Sequence, residues 1–376
     1  YSEYIFANTD SIILFNIDLN KDTIISLVSA ASFMIVAFLS PFLSGIADYL
    51  GNKKTFMKFF VFLGSFSCIG LYWFELETIQ FGLLLYVLAL IGLWGSLVFY
   101  NSYLPDITYP DQTNMVSAKG FTMGYIGSVI LLIINLIMIT YYEQLNLNSE
   151  VQAMKYSFVL VGLWWLIFSQ YSFYHLPKGN KGVKLPKNVI WNGFRELKGV
   201  YKIIRSSKKF TRFLTAFFVF SFSLQTVLFI ASYFGVTEIE WSSSAEQTTG
   251  LIISIILIQI IAIFGAILFT KAAEKFGNII VLTIAIASWS FICGYAYFIT
   301  TPNEFYLIAG FVGLLMGGTQ TIARATYSLF IPESKDTTSF FSFYDVTEKI
   351  GIVIGMILYA MAAQITGNVR FSVLIF

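Results

Sequence analysis

The sequence predicts an all-α transmembrane protein that crosses the bilayer many times. Composition, a series of long apolar segments and a one-sided distribution of basic loops predict it. Of the 376 residues, 57% are hydrophobic and 12% charged, about half the charged share of an ordinary soluble domain. Mean hydropathy is +0.75. A water-soluble fold of this length would lack polar surface, and lipid as the outer solvent removes that need. The 39 phenylalanines and the 18% aromatic share suit lipid-facing surfaces and interfacial belts.

A bilayer-crossing helix needs about 20 apolar residues. Qualifying segments run near 24–46, 55–74, 79–104, 120–141, 154–176, 210–235, 248–269, 278–299, 304–331 and 339–362, and a further one starts at Phe371. The long connection 177–209 carries Lys178, Lys181, Lys184, Lys187, Arg195, Lys198, Lys202, Arg205, Lys208 and Lys209, with Glu196 as its acid. Lys53, Lys54, Lys58, Lys271 and Lys275 lie on the same side. The opposite loops hold Glu75, Glu77, Glu238, Glu240 and Glu246. The positive-inside rule therefore places 177–209 in the cytoplasm. Within it Ile190, Phe194, Leu197, Tyr201 and Ile204 recur at helical spacing between cations. That pattern predicts an amphipathic helix on the inner membrane surface; a plain linker is the alternative. Cys68 and Cys293 fall in apolar runs and read as buried thiols without a disulfide role. Residues 1–20 hold Asp10 and Asp18 and no basic stretch, unlike a cleavable signal peptide.

An internal repeat organises the chain. Tyr100, Pro105 and Asp106 match Tyr327, Pro332 and Glu333; Asp48 and Gly51 match Glu274 and Gly277; Asp111 and Ser117 match Asp336 and Ser342. Such repeats build many transporters. Extending the match predicts six helices per half, with a first helix before residue 1 and a last helix cut at 376. The expected division is an N-terminal bundle at 1–176, a linker at 177–209 and a C-terminal bundle at 210–376.

The sharpest motif is Gly45-Ile46-Ala47-Asp48-Tyr49-Leu50-Gly51-Asn52-Lys53-Lys54, in the tight turn between the first two spans. Gly45 lets helices approach closely, and Gly51 suits a turn needing positive φ. Asp48 is placed to accept from a neighbouring helix N-terminus, which favours an anion. Lys53 and Lys54 are expected to anchor the loop at the inner surface. Glu274 and Gly277 form a second copy, without the first glycine. The alternative is an ordinary turn with positive-inside residues.

Charge inside the spans is the second signal. Arg324, Asp345, Glu348 and Lys349 fall within two successive apolar segments. Each costs about 2.5–3.5 kcal/mol at a helix centre, so they should pair or face water. Asp345 and Lys349, at i and i+4, share a face, and Arg324 is expected to pair with Asp345 or Glu348. Two readings fit: a substrate or proton site on a cavity wall, or a structural ion-pair cluster. Asn101 and Gln225 are weaker candidates for solute contact, and Gln259 reads as interhelical glue. Gly313, Gly317, Gly351 and Gly355 read as close-packing or bending points, as does Gly124. His175 reads as interfacial. No phosphate loop, metal-ligand cluster or Ser-His-Asp set is present, so no cofactor, metal or enzymatic activity is expected.

The motif at Gly45–Lys54 resembles the signature loop of the major facilitator superfamily. Tyr100-Asn101-Ser102-Tyr103-Leu104-Pro105-Asp106 and the stretch from Arg324 through Tyr327–Pro332, Phe340–Tyr344 and Lys349 resemble its vacuole-effluxer branch of fungal amino-acid exporters and bacterial relatives. The resemblance implies two six-helix bundles around a central cavity and alternating access. It implies a small polar solute such as an amino acid as cargo, with the eleventh helix, near Thr338, as the neighbour of Asp48. A bacterial inner (plasma) membrane is the expected location. Membrane lipids and the solute are the expected partners; nucleic acid is not, and a monomer is the default. A non-transporting sensor or scaffold, or a lipid-handling protein on the same fold, is the alternative.

Overall fold

The computed structural model describes residues 11–14, 17–179, 188–366 and 370. A small antiparallel ribbon, β1 (Ser11–Leu14) and β2 (Ile17–Asn20), opens the described chain. The helices follow in order: α1 (Lys21–Leu50), α2 (Lys53–Gly70), α3 (Ile79–Asn101), the single turn α4 (Leu104–Ile107), α5 (Thr113–Thr140), α6 (Glu150–His175), α7 (Val189–Ser206), α8 (Lys208–Thr237), α9 (Ser244–Phe276), α10 (Asn278–Ala296), α11 (Pro302–Phe330) and α12 (Thr337–Thr366).

Each of the ten expected spans is a helix. Nine, among the described residues, are long and apolar enough to cross a membrane. The tenth, α12, matches them in length but carries Asp345, Glu348 and Lys349. The expected extra helices before residue 1 and from Phe371 lie outside the described residues.

The starts of the helices follow from short polar side chains that satisfy first-turn amides. Asn52, Ser149, Ser207 and Ser243 cap α2, α6, α8 and α9 in this way. Thr301 and Glu304 form a reciprocal capping box on α11. Gly51 and Gly277 turn the chain at φ 61° and 87°, a left-handed conformation that glycine adopts without a Cβ penalty. These two positions are the repeat-related pair.

The chain forms two compact units that cut across the repeat halves. Unit 1 comprises Tyr1–Tyr103, Leu131–Tyr201 and Lys335–Lys349; unit 2 comprises Leu104–Ile130, Lys202–Ser334 and Ile350–Phe376. Unit 1 thus takes the first part of α12 from the second half, and unit 2 takes the first part of α5 from the first half.

The core of unit 1 is built on Val36, Phe60, Phe99, Tyr103 and Phe173. There α2 and α3 cross at Gly64 and Gly92, where a Cβ on Gly92 would meet Gly64 Cα at 2.4 Å.

The core of unit 2 is built on Tyr125, Trp289, Ile292, Phe305 and Val312. Two of its helices interlock: a Cβ on Gly313 or Gly317 of α11 would lie 2.4 or 2.1 Å from the carbonyl oxygens of Ile258 and Ala262 on α9. This is close small-residue packing of a kind common between membrane helices. Gly355 meets Thr226 Oγ1 at 1.8 Å on the same measure, whereas Gly124 has open space around it. At the far end of unit 2, Arg370 donates to Glu238 Oε2 and O and to the carbonyls of Tyr297 and Ile299, at 2.6–2.9 Å.

Candidate functional site

Three side-chain arrangements gather the residues singled out in the sequence. The first joins α1 to α12 in unit 1. The Asp48 carboxylate accepts the amide hydrogens of Thr338 (3.2 Å) and Ser339 (2.6 Å). These belong to the first turn of α12, where amides have no intrahelical partner and the helix dipole favours an anion. Lys53 Nζ donates to Ser102 O (2.8 Å) and Thr337 Oγ1 (2.9 Å) and lies 4.4 Å from the Tyr103 ring. Lys54 is buried and donates to Leu176 O at 2.7 Å. These two lysines were expected to anchor the loop at the inner surface; each reaches a carbonyl at the end of α3 or α6, where carbonyls lack intrahelical donors and favour cations.

The second arrangement joins α5 to α10 and α11 in unit 2. Asn114 and Asn278 exchange hydrogen bonds of 2.7 and 2.9 Å, and Asn278 also reaches Thr326 Oγ1 at 3.1 Å. Tyr125 donates to Gln320 Oε1 at 3.0 Å. Arg324 is buried, donates to Ser117 O (2.8 Å) and Ser117 Oγ (3.1 Å), and stacks 4.2 Å over the Phe121 ring. Within unit 2, the carbonyl and hydroxyl of Ser117 accept hydrogen bonds from the Arg324 guanidinium. Glu274, the repeat counterpart of Asp48, is exposed. Its place in the second arrangement is taken by the uncharged Asn278.

The third arrangement is a charged cluster in unit 1. Lys349 is fully buried. It bonds Asp345 Oδ1 at 2.8 Å and Glu348 Oε2 at 2.9 Å, and sits 3.9 Å from the Trp94 ring centre. Ser40 Oγ donates to the other Asp345 oxygen at 3.4 Å. Lys349 lies about 18 Å along α12 from its first residue, near the middle of a hydrocarbon core about 30 Å thick. Next to Ser40, a small apolar cavity is lined by Val36, Leu39, Phe60, Ile91, Gly95 and Phe99. Trp94 Nε1 and Ser44 Oγ are buried and without a hydrogen-bond partner among the described residues. Such groups are costly in an apolar interior.

Asn101 is the last residue of α3, beside Ser102 and Tyr103. Gln225 is half-buried in α8. Pro105 and Asp106 form part of α4, while Pro332 and Glu333 are exposed just beyond α11. His175 is exposed at the end of α6 and bonds the Tyr171 carbonyl. Cys68 and Cys293 are free thiols.

Comparison with known proteins decides the family. The family model described as "Vacuole effluxer Atg22 like" matches residues 6–115 and 108–376. The chain belongs to this effluxer family. It is 32% identical over 340 residues to the uncharacterized MFS-type transporter YxiO of Bacillus subtilis strain 168, covering 90% of this chain and 78% of that protein. It is 26% identical to autophagy-related protein 22 of Yarrowia lipolytica, over 68% of this chain and 46% of that protein, so it spans about half of the fungal relative's length. The proton:xylose symporter XylE shares its fold at a TM-score of 0.70 and 12% identity, over 99% of this chain and 86% of that one. This effluxer-family chain is therefore an all-α, multi-pass membrane protein of the major facilitator type.

Sequence reasoning missed Trp94, Phe121, Asn114 and Asn278. The ring of Trp94 under Lys349 carries no periodic signal, because an aromatic on an apolar helix reads as lipid-facing. Ser117 had appeared as a repeat match to Ser342, and that was the available hint.

Proposed function

We propose that this chain is a secondary transporter that moves a small polar solute of the amino-acid class across a bacterial inner membrane. It works by alternating access between two six-helix bundles, 1–176 and 210–376, joined by the linker 177–209. The observation that most favours this is the Lys349 cluster. Two carboxylates share one ammonium at mid-membrane depth, beside an indole N–H with no partner among the described residues. An arrangement of this kind is expensive in lipid and is usually found where ions or substrates pass. This supports a role for Asp345 and Glu348 in taking up a coupling proton, since protonating one carboxylate would balance the single cation. The contacts Asp48–Thr338/Ser339 and Arg324–Ser117 serve as clasps on the cytoplasmic side, which part when that side opens. The names of the relatives, effluxer and MFS-type transporter, support the transport class.

Thermal melting of the purified protein against amino acids and small metabolites, at two pH values, tests this reading. A ligand that binds the folded state raises the melting temperature by mass action. A hit that vanishes in Glu348→Gln supports the cluster as coupling or binding site. A panel with no hit sinks the amino-acid class, and favours a sensor or scaffold on the same fold.

A further inference from the structure

The geometry points to α7 as an anionic-lipid-binding helix that transmits the state of the inner leaflet to the clasp between α1 and α12. This goes beyond the transport reading and needs no substrate to test. One face of α7 is docked within unit 1. A Cβ on Gly45 would lie 2.3 Å from Gly193 O, and one on Gly193 would lie 2.8 Å from Ile46 N. The backbones of α7 and of the end of α1 are therefore in direct contact, three residues from Asp48. Val200 is buried on the same face. Further along, the Tyr201 ring lies 6.0 Å from Phe343 of α12. So α7 touches both helices that Asp48 joins.

The apolar stripe expected from the sequence is split by this docking. Gly193, Leu197, Val200 and Ile204 turn toward protein, whereas Ile190, Trp191 and Phe194 are 59%, 65% and 47% exposed. Trp191 and Phe194 stack at 5.8 Å. Arg195 and Lys198 are exposed beside them. The end of α7 is fixed at the membrane boundary, because Ser207 alone separates it from the spanning helix that starts at Lys208. An exposed aromatic pair next to two cations, on a helix anchored at one end to that boundary, matches an acidic phospholipid surface: rings enter the headgroup region and guanidinium and ammonium groups meet phosphates.

Hydrogen exchange of the full-length protein in nanodiscs tests this, with phosphatidylcholine alone or mixed with phosphatidylglycerol. Phosphatidylglycerol should slow exchange in α7 and in the first turn of α12. Each cation should contribute about fivefold, the equivalent of ~1 kcal/mol per basic residue near an anionic surface. Arg195→Gln with Lys198→Gln, both exposed and away from the docked face, should abolish both responses. Gly193→Leu should keep the lipid response of α7 and lose that of α12. Equal exchange of α7 in the two lipids would overturn lipid binding. A response in α7 without one in the first turn of α12 in the wild type would overturn the coupling.

Discussion

Asn114 and Asn278 hold each other by two reciprocal amide hydrogen bonds, at the place where the repeat would put a carboxylate against a helix N-terminus. Asp48 does carry that charge at its own site, against Thr338 and Ser339. The two related contacts are thus chemically different, one ionic and one neutral.

A neutral reciprocal pair loses most when half of it is removed. Asn114→Leu leaves Asn278 Nδ2 its bond to Thr326 but strands Asn278 Oδ1, and should cost about 1–3 kcal/mol, whereas Asn114→Leu with Asn278→Leu should cost less than the single change. A double-mutant cycle of melting temperatures checks this, and strictly additive losses would contradict it.

Asp48→Asn keeps an acceptor for one amide but removes the charge. The loss should be about 1 kcal/mol, as for an anion at a helix N-terminus. Exchange of the Thr338 and Ser339 amides is the readout, and unchanged rates would refute the contact.

Lys349→Met leaves Asp345 and Glu348 buried without their cation. It should cost about 3–5 kcal/mol, the usual penalty for breaking a buried pair from one side. Adding Asp345→Asn and Glu348→Gln to Lys349→Met should recover much of the melting temperature. A Lys349→Met protein that melts like the wild type would be incompatible with the cluster.

Glu196 on α7 gives a pH dependence. Burial, and then the nearby Asp336 carboxylate, push its carboxyl above the ordinary value of 4.5. A raised acid pKa means that the docked helix binds protons more readily than the undocked one. Docking is therefore favoured at acid pH, and that part is lost as pH rises through the raised value. Glu196→Gln should flatten the pH profile of α7 exchange; an unchanged profile would rule Glu196 out as its cause.

Gly317→Leu should strongly disrupt the packing of α9 on α11 in unit 2. Its Cβ would sit 2.1 Å from the Ala262 carbonyl, and overpacking of that kind costs about 1–3 kcal/mol or more. Reduced yield of folded protein on size-exclusion chromatography checks it, with Gly124→Leu, where space is open, as the silent control.

The helices were legible in the sequence because span length and loop charge are set by the bilayer and not by the partner helices. All ten expected spans formed, and Asp48 met the helix expected of it. The exposure of Ile190 and Phe194 was not legible, since a periodic apolar stripe shows a face but not how much of it is covered. The partners of Lys53 and Lys54 were not legible for a related reason. A basic pair after a turn shows its side of the membrane but not which helix-end carbonyls it reaches. Asn278 was invisible, because an asparagine after a glycine reads as part of the turn.

Arg370 ties the loop bearing Glu238 to the turn between α10 and α11 with hydrogen bonds from three of its nitrogens. A protein shortened before this residue would keep the helices of unit 2 but leave the end of α8 untethered. A fluorescent or affinity fusion therefore belongs downstream of Arg370, and a protease that cleaves just before it should loosen the α8–α9 corner first.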